Sequence, residues 1–79
     1  MKVLLFARAR DLVGRDAVEV DLPAGVTVAA MRRALAEQYP ALAGLLEKSA
    51  LAVANEFARD DAIVPAGAEV ALLPPVSGG

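Results

Sequence analysis

A chain of 79 residues with neither cysteine nor histidine has to hold itself together by apolar burial alone. Disulfides require thiols and the usual transition-metal sites use thiolate or imidazole ligands, so these staples of small domains are missing. One domain is expected, near the lower limit for a self-sufficient core. The composition supplies such a core, since 57% of the residues are hydrophobic, mostly alanine, valine and leucine, and the aromatics are Phe6, Phe57 and Tyr39. No uncharged run approaches the ~20 residues of a membrane helix. The opening Met1 to Phe6, with one basic residue and a short apolar run, reads as a first strand and not as a leader. A soluble, cytoplasmic protein with no membrane partner is expected.

The same absences narrow the chemistry. Without Cys or His there is no thiolate nucleophile, no imidazole base and no ordinary transition-metal site. No Gly-rich phosphate loop ending in Gly-Lys-Ser/Thr is present. A net charge of −2 argues against nucleic acid as a partner. Arg8, Arg10 and Arg15 cluster, but Asp11 and Asp16 lie among them. The carboxylates Glu19, Asp21, Glu37 and Glu47 alternate with apolar positions, as solvent-facing residues do. The chain therefore reads as one that presents a surface, or its own end, to another protein's active site. No bound cofactor or metal is expected.

Periodicity sets the elements. Lys2 to Ala7 is apolar on both alternating faces, which suits a strand covered on both sides or placed centrally in a sheet. Arg8 to Arg15 reads as a polar connection. Val18, Val20 and Leu22 alternate with Glu19 and Asp21 as a half-buried strand does. Pro23-Ala24-Gly25 fits a type I turn with proline at i+1 and glycine at i+3. Thr27 is an N-cap candidate for a helix whose stripe is Val28, Met31, Leu35 and Tyr39, with Arg32, Arg33, Glu37 and Gln38 largely on the other side. Pro40 ends that helix. Leu42, Leu45 and Leu46 suggest a short second helix, and Leu51–Ala54 a strand. A turn at Asn55-Glu56 and a weak strand at Phe57-Ala58 come next, then a second Pro-Ala-Gly turn at 65–67 and a last strand from Glu69 to Leu73. The order is α+β and permits a ubiquitin-like β-grasp: a mixed sheet of about five strands, one main helix across it, and the last strand beside the first.

Residues 1–73 form that domain, and residues 74–79 read as a flexible, extended tail. Pro74-Pro75 stops the strand because proline cannot donate to a ladder. It also stiffens the start of the tail, at about 3.1 Å per residue. Val70 to Ser77 carries no charge, so entry into a protein channel incurs little ionic desolvation. Gly78-Gly79 ends the sequence with the slimmest backbone available. A terminal carboxylate on such an arm suits activation as an acyl adenylate and attack by a nucleophile.

Three segments resemble one family. Val3-Leu-Leu-Phe-Ala-Arg-Ala-Arg-Asp-Leu-Val-Gly14 is similar to the opening of the small, sulfur-carrying subunit of molybdopterin synthase, the MoaD family. Leu51-Ala-Val-Ala-Asn55 is similar to its Ala-Val-Asn strand and turn. Gly67-Ala-Glu-Val-Ala-Leu-Leu-Pro-Pro-Val-Ser-Gly-Gly79 matches its specific ending, apart from Ala68 where aspartate is usual and the leucines at 72 and 73, where members often carry phenylalanine. The resemblance implies that a ubiquitin-activating-like adenylyltransferase, using ATP, adenylates Gly79, and that a sulfur donor protein converts it to a thiocarboxylate. Pro74, Pro75, Val76, Ser77 and Gly78 would carry it into the large subunit, where sulfur passes to cyclic pyranopterin monophosphate. The chain would then be a non-catalytic subunit within a heterotetramer. The resemblance puts docking at positions like Phe6 and Leu73, to which Phe57 is added here. Sulfur carriers for thiazole or tRNA, a ubiquitin-like modifier, and a structural adaptor are the alternatives.

Overall fold

The computed structural model describes residues 1–75, and within them the sheet is built around its last strand. β1 (Lys2–Leu5), β2 (Ala17–Glu19), β3 (Ala50–Val53), β4 (Glu56–Ala58) and β5 (Val70–Leu73) lie in the order β2-β1-β5-β3-β4. β1 and β5 run parallel, with Val3 opposite Val70 and Leu5 opposite Leu72. The other pairings are antiparallel. The last strand beside the first, with a helix packed across one face, is the ubiquitin-like β-grasp expected from the element order.

α2 (Val28–Gln38) covers that face. The Thr27 side chain accepts a hydrogen bond from the Ala30 N–H at 3.2 Å, satisfying a donor the first turn leaves free. Val28, Met31 and Leu35 are buried against Val3, Leu5, Leu51, Val70 and Leu72, the inward residues of their strands. Tyr39 packs against this core while its hydroxyl donates to the Glu19 carbonyl at 2.7 Å. The helix stops before Pro40, which opens a 3-10 turn (Pro40–Leu42) running into α3 (Ala43–Leu46), the short second helix expected. Leu42 and Leu46 complete the core.

The segment Arg8–Arg15, read from the sequence as a polar connection, is mostly helical, since α1 spans Ala7–Val13. Its side chains are good helix formers, Ala9 is fully buried, and Gly14 ends it at φ 80°, donating to the Arg10 carbonyl at 2.7 Å. β1 and β2 therefore pair across a helix and not through a tight hairpin. β2 also ends earlier than the alternation suggests, although the Val20 N–H still reaches the Met1 carbonyl at 2.7 Å. Both Pro-Ala-Gly turns differ from the type I expectation. Gly25 and Gly67 take φ 86° and 77°, and the Ala68 N–H closes on the Pro65 carbonyl at 3.2 Å. That hydrogen bond puts Gly67 at the third position, where a left-handed φ is required. The β3–β4 turn is centred on Ala54-Asn55, both at positive φ, one residue before the expected place.

Arg32, assigned by periodicity to the solvent side of α2, is also largely enclosed. Its guanidinium donates to the Leu46 carbonyl, to the Ser49 carbonyl at 2.8 Å and to Asp60 Oδ1 at 3.1 Å. It thereby ties α2 to the end of α3 and to the loop after β4. No helix of the described residues is long and apolar enough to cross a membrane.

Candidate functional site: the open sheet face and the root of the tail

α2 covers one side of the sheet and, among the described residues, no helix covers the other. Side chains alternate along each strand, so the buried set Val3, Leu5, Leu51, Val70 and Leu72 sends Leu4, Ala52, Ala71 and Leu73 the other way. The registers align these outward residues in rows. Ala17, Leu4, Ala71, Ala52 and Phe57 are successive cross-strand partners from one edge to the other. One step toward the tail, Leu73 stands opposite Ala50, and Phe6 follows Leu5, the residue opposite Leu72.

The result is a shallow trough. Alanines at 50, 52 and 71 form its floor, while Leu4 and Phe6 rise on one side and Phe57 on the other. A hollow of about 240 Å³ lies over the middle row, with Glu69 and Asn55 as its polar members. A second, of about 400 Å³, lies at the tail end between Phe6, Leu73, Pro74 and Pro75. Phe57 is 77% exposed and Phe6 44%, unusual for aromatics in a chain that has only three. Such surface has no role in the fold's own core; it is available for burial against another molecule.

The structure therefore brings Phe6, Phe57 and Leu73 together, around both hollows. Phe57 arrives there because the Ala54-Asn55 turn sets β4 in register with β3, opposite Ala52. Pro74 and Pro75 leave β5 beside the same trough. Val76, Ser77, Gly78 and Gly79 lie outside the described residues. Arg10 is paired with Asp16 at 3.9 Å, and Arg8 is exposed on α1. The floor alanines and Leu4 are part of the face that sequence reasoning did not single out. The available signal was the period-2 pattern of β5, which turns Val70 and Leu72 inward and leaves Ala71 and Leu73 outward. Chemically the trough offers mainly burial of apolar area; the charged groups on its lining are Glu69 at the middle row and Lys48 at the tail end.

Comparison with known proteins gives a consistent result. Residues 3–79 match the model of the ThiS family. The chain is 45% identical over 83 residues to the molybdopterin synthase sulfur carrier subunit of Escherichia coli, covering 100% of this chain and 99% of that protein. It is 40% identical over 81 residues to the protein of the same name from Dictyostelium discoideum, covering 99% and 94%. Among solved structures it is similar to the small archaeal modifier protein 1 of Haloferax volcanii, with a TM-score of 0.82, 31% identity and coverage of 96% and 97%.

Proposed function

The chain belongs to the ThiS family, and from that premise we propose that it is the sulfur-carrying small subunit of a molybdopterin synthase. In this reading Gly79 is the C-terminal residue and the loading point. An adenylyltransferase joins its carboxylate to AMP with release of pyrophosphate. Sulfur from a donor protein then displaces AMP, leaving a thiocarboxylate. The arm from Pro74 to Gly78 carries that group into the large subunit, which supplies the catalytic side chains for transfer to the pterin precursor.

The observation that carries the proposal is the position of the tail's root. Pro74 and Pro75 leave the central strand of the sheet directly beside the uncovered trough of Leu4, Phe6, Phe57 and Leu73. A partner that buries the trough therefore receives the arm in a fixed relation to its own surface. Apolar docking supplies the binding free energy, and a slim, uncharged arm enters with little desolvation. The test is intact mass after incubation with ATP, the adenylyltransferase and a sulfur donor. Exchange of one oxygen for sulfur adds about 16 Da to an activated carboxylate. Deleting Gly79, or adding one residue after it, should abolish the gain while the fold persists. An unchanged mass with competent partners would favour a structural adaptor.

The likeness to an archaeal modifier protein favours one second reading, in which Gly79 is joined to lysines of target proteins. Conjugates that survive boiling in detergent and thiol would support it, and both readings use the same activated end.

A further inference from the structure

β4 ends the order β2-β1-β5-β3-β4 and is hydrogen-bonded on one side alone, to β3. The two strands are joined by Ala54 and Asn55, at φ 52° and 68°, the two-residue turn of a hairpin that closes on Val53 and Glu56. The Ala54 N–H donates to the Glu69 carbonyl at 2.9 Å, on the β5 side. Successive residues of a strand turn their polar groups to opposite neighbours, so Val53 bonds to β4 and Ala52 to β5. Phe57, opposite Ala52, therefore turns its N–H and C=O away from the sheet. Among the described residues no turn or loop hydrogen bond uses either group.

Phe57 and Ile63 are the most exposed large apolar side chains among the described residues, and both flank this edge. They line a hollow of about 420 Å³ beside β4. The other edge strand, β2, presents Ala17, Val18 and Glu19, none of them a large exposed apolar residue. We propose that β4 is a self-pairing edge: two copies of the chain join antiparallel along β4, about a twofold axis at Phe57, and their five-stranded sheets become one continuous sheet. The pairing needs neither an activated end nor a sulfur partner, and it goes beyond the reading given above.

The edge is complementary to itself. Antiparallel pairing centred on Phe57 sets that residue opposite its own copy, and the outward N–H and C=O of each satisfy those of the other in two reciprocal hydrogen bonds. Opposite residues share a face, so the two rings become cross-strand neighbours, about 5.5 Å apart at Cα. The same register sets Glu56 opposite Ala58 and Asn55 opposite Arg59. The acidic end of each β4 therefore meets the basic end of the other copy, and no like charges stand opposite each other. Arg59 lies 3.9 Å from Asp61 with both side chains exposed, a pair that holds it only weakly. At 77% exposure the two Phe57 side chains offer about 300 Å² between them. With Ile63 and two hydrogen bonds, the contact belongs to the small, transient class below about 1,200 Å², and a dissociation constant of about 100 μM is expected.

The test is analytical ultracentrifugation of the full chain from about 10 μM to about 1 mM, where the mass should rise from one chain to two with a midpoint of about 100 μM. Phe57→Glu, which sets two carboxylates opposite each other at an exposed position, should weaken association at least about tenfold while the circular dichroism stays that of the parent. Ile63→Glu should weaken it as well, and serves if the first variant disturbs β4. Deuterium exchange of the Phe57 amide reads the backbone pairing directly. It should slow about fourfold from the lowest to the highest concentration, following the fall in the unpaired fraction. A chain that stays single throughout, or association undiminished in both variants, would overturn the proposal. So would association that leaves Phe57 amide exchange unchanged and is lost in Leu73→Ala, since the copies would then meet through the trough.

Discussion

Phe57→Ala separates the two roles that an apolar residue can have in a domain this small. Phe57 is 77% exposed on the edge strand β4. A phenylalanine has about 200 Å² to bury, so about 150 Å² of it still faces water. At roughly 25 cal/mol per Å², covering that area is worth about 4 kcal/mol. Interfaces convert area incompletely, and half of that figure, about 2 kcal/mol, corresponds to a dissociation constant about 30-fold weaker. The remaining area already packed in the fold is about 50 Å², or about 1 kcal/mol, which lowers a melting midpoint by roughly 4–8 °C in a domain of this size. Titration calorimetry against the large subunit, with a thermal melt of the isolated chain, measures both. Leu72→Ala is the opposite control. That side chain is fully buried, and its removal costs about 2–5 kcal/mol of folding. If Phe57→Ala binds the large subunit as tightly as the parent while melting only a few degrees lower, the open trough is not the docking face.

Two further predictions concern the frame that holds the site. Arg32→Lys should lose about 1–2 kcal/mol in urea denaturation, because a single ammonium cannot serve two carbonyls and a carboxylate in the geometry of a guanidinium fork; an unchanged midpoint would mean that the enclosed fork adds nothing. Ala54→Gly should raise the melting midpoint, since Ala54 holds φ 52° at a cost of about 1 kcal/mol, and glycine returns about half of that as chain entropy. A lower midpoint would contradict the assigned strain.

The parts of the fold that sequence revealed are those with a period and a punctuation mark. Thr27, the stripe Val28, Met31, Leu35 and Tyr39, and Pro40 fix α2 at both ends, and the structure places it from Val28 to Gln38. α1 escaped notice because Ala7-Arg-Ala-Arg-Asp-Leu-Val13 alternates small and charged residues without a wide apolar stripe. Phe6, its N-cap, makes no side-chain cap hydrogen bond. Gly14 was the signal, since a glycine after a run of helix formers is a common helix end. Arg32 misled because periodicity assigns a face and not a partner, and its partners lie 14 to 28 residues away. At the site, Phe6 and Leu73 are singled out by the resemblance to a known family, which places docking at such positions, and not by periodicity. The floor of Ala50, Ala52 and Ala71 could not be read, because small residues give no contrast between a buried and an open face.

What makes this scaffold suited to carrying a group on its end is the position of β5. The strand is bonded on one side to β1 and on the other to β3, so its course is fixed by two ladders. Leu72 anchors it in the core, while Ala71 and Leu73 belong to the open face. One strand thus carries the core, the open face and the root of the arm in consecutive residues. A partner that recognises Leu73 has already located Pro74, and Pro74 cannot prolong the ladder that ends there. An arm launched from an edge strand such as β4, held by a single neighbour, would shift with every fraying of that edge. Launching from the centre makes the direction in which Pro74 leaves a property of a strand paired on both sides.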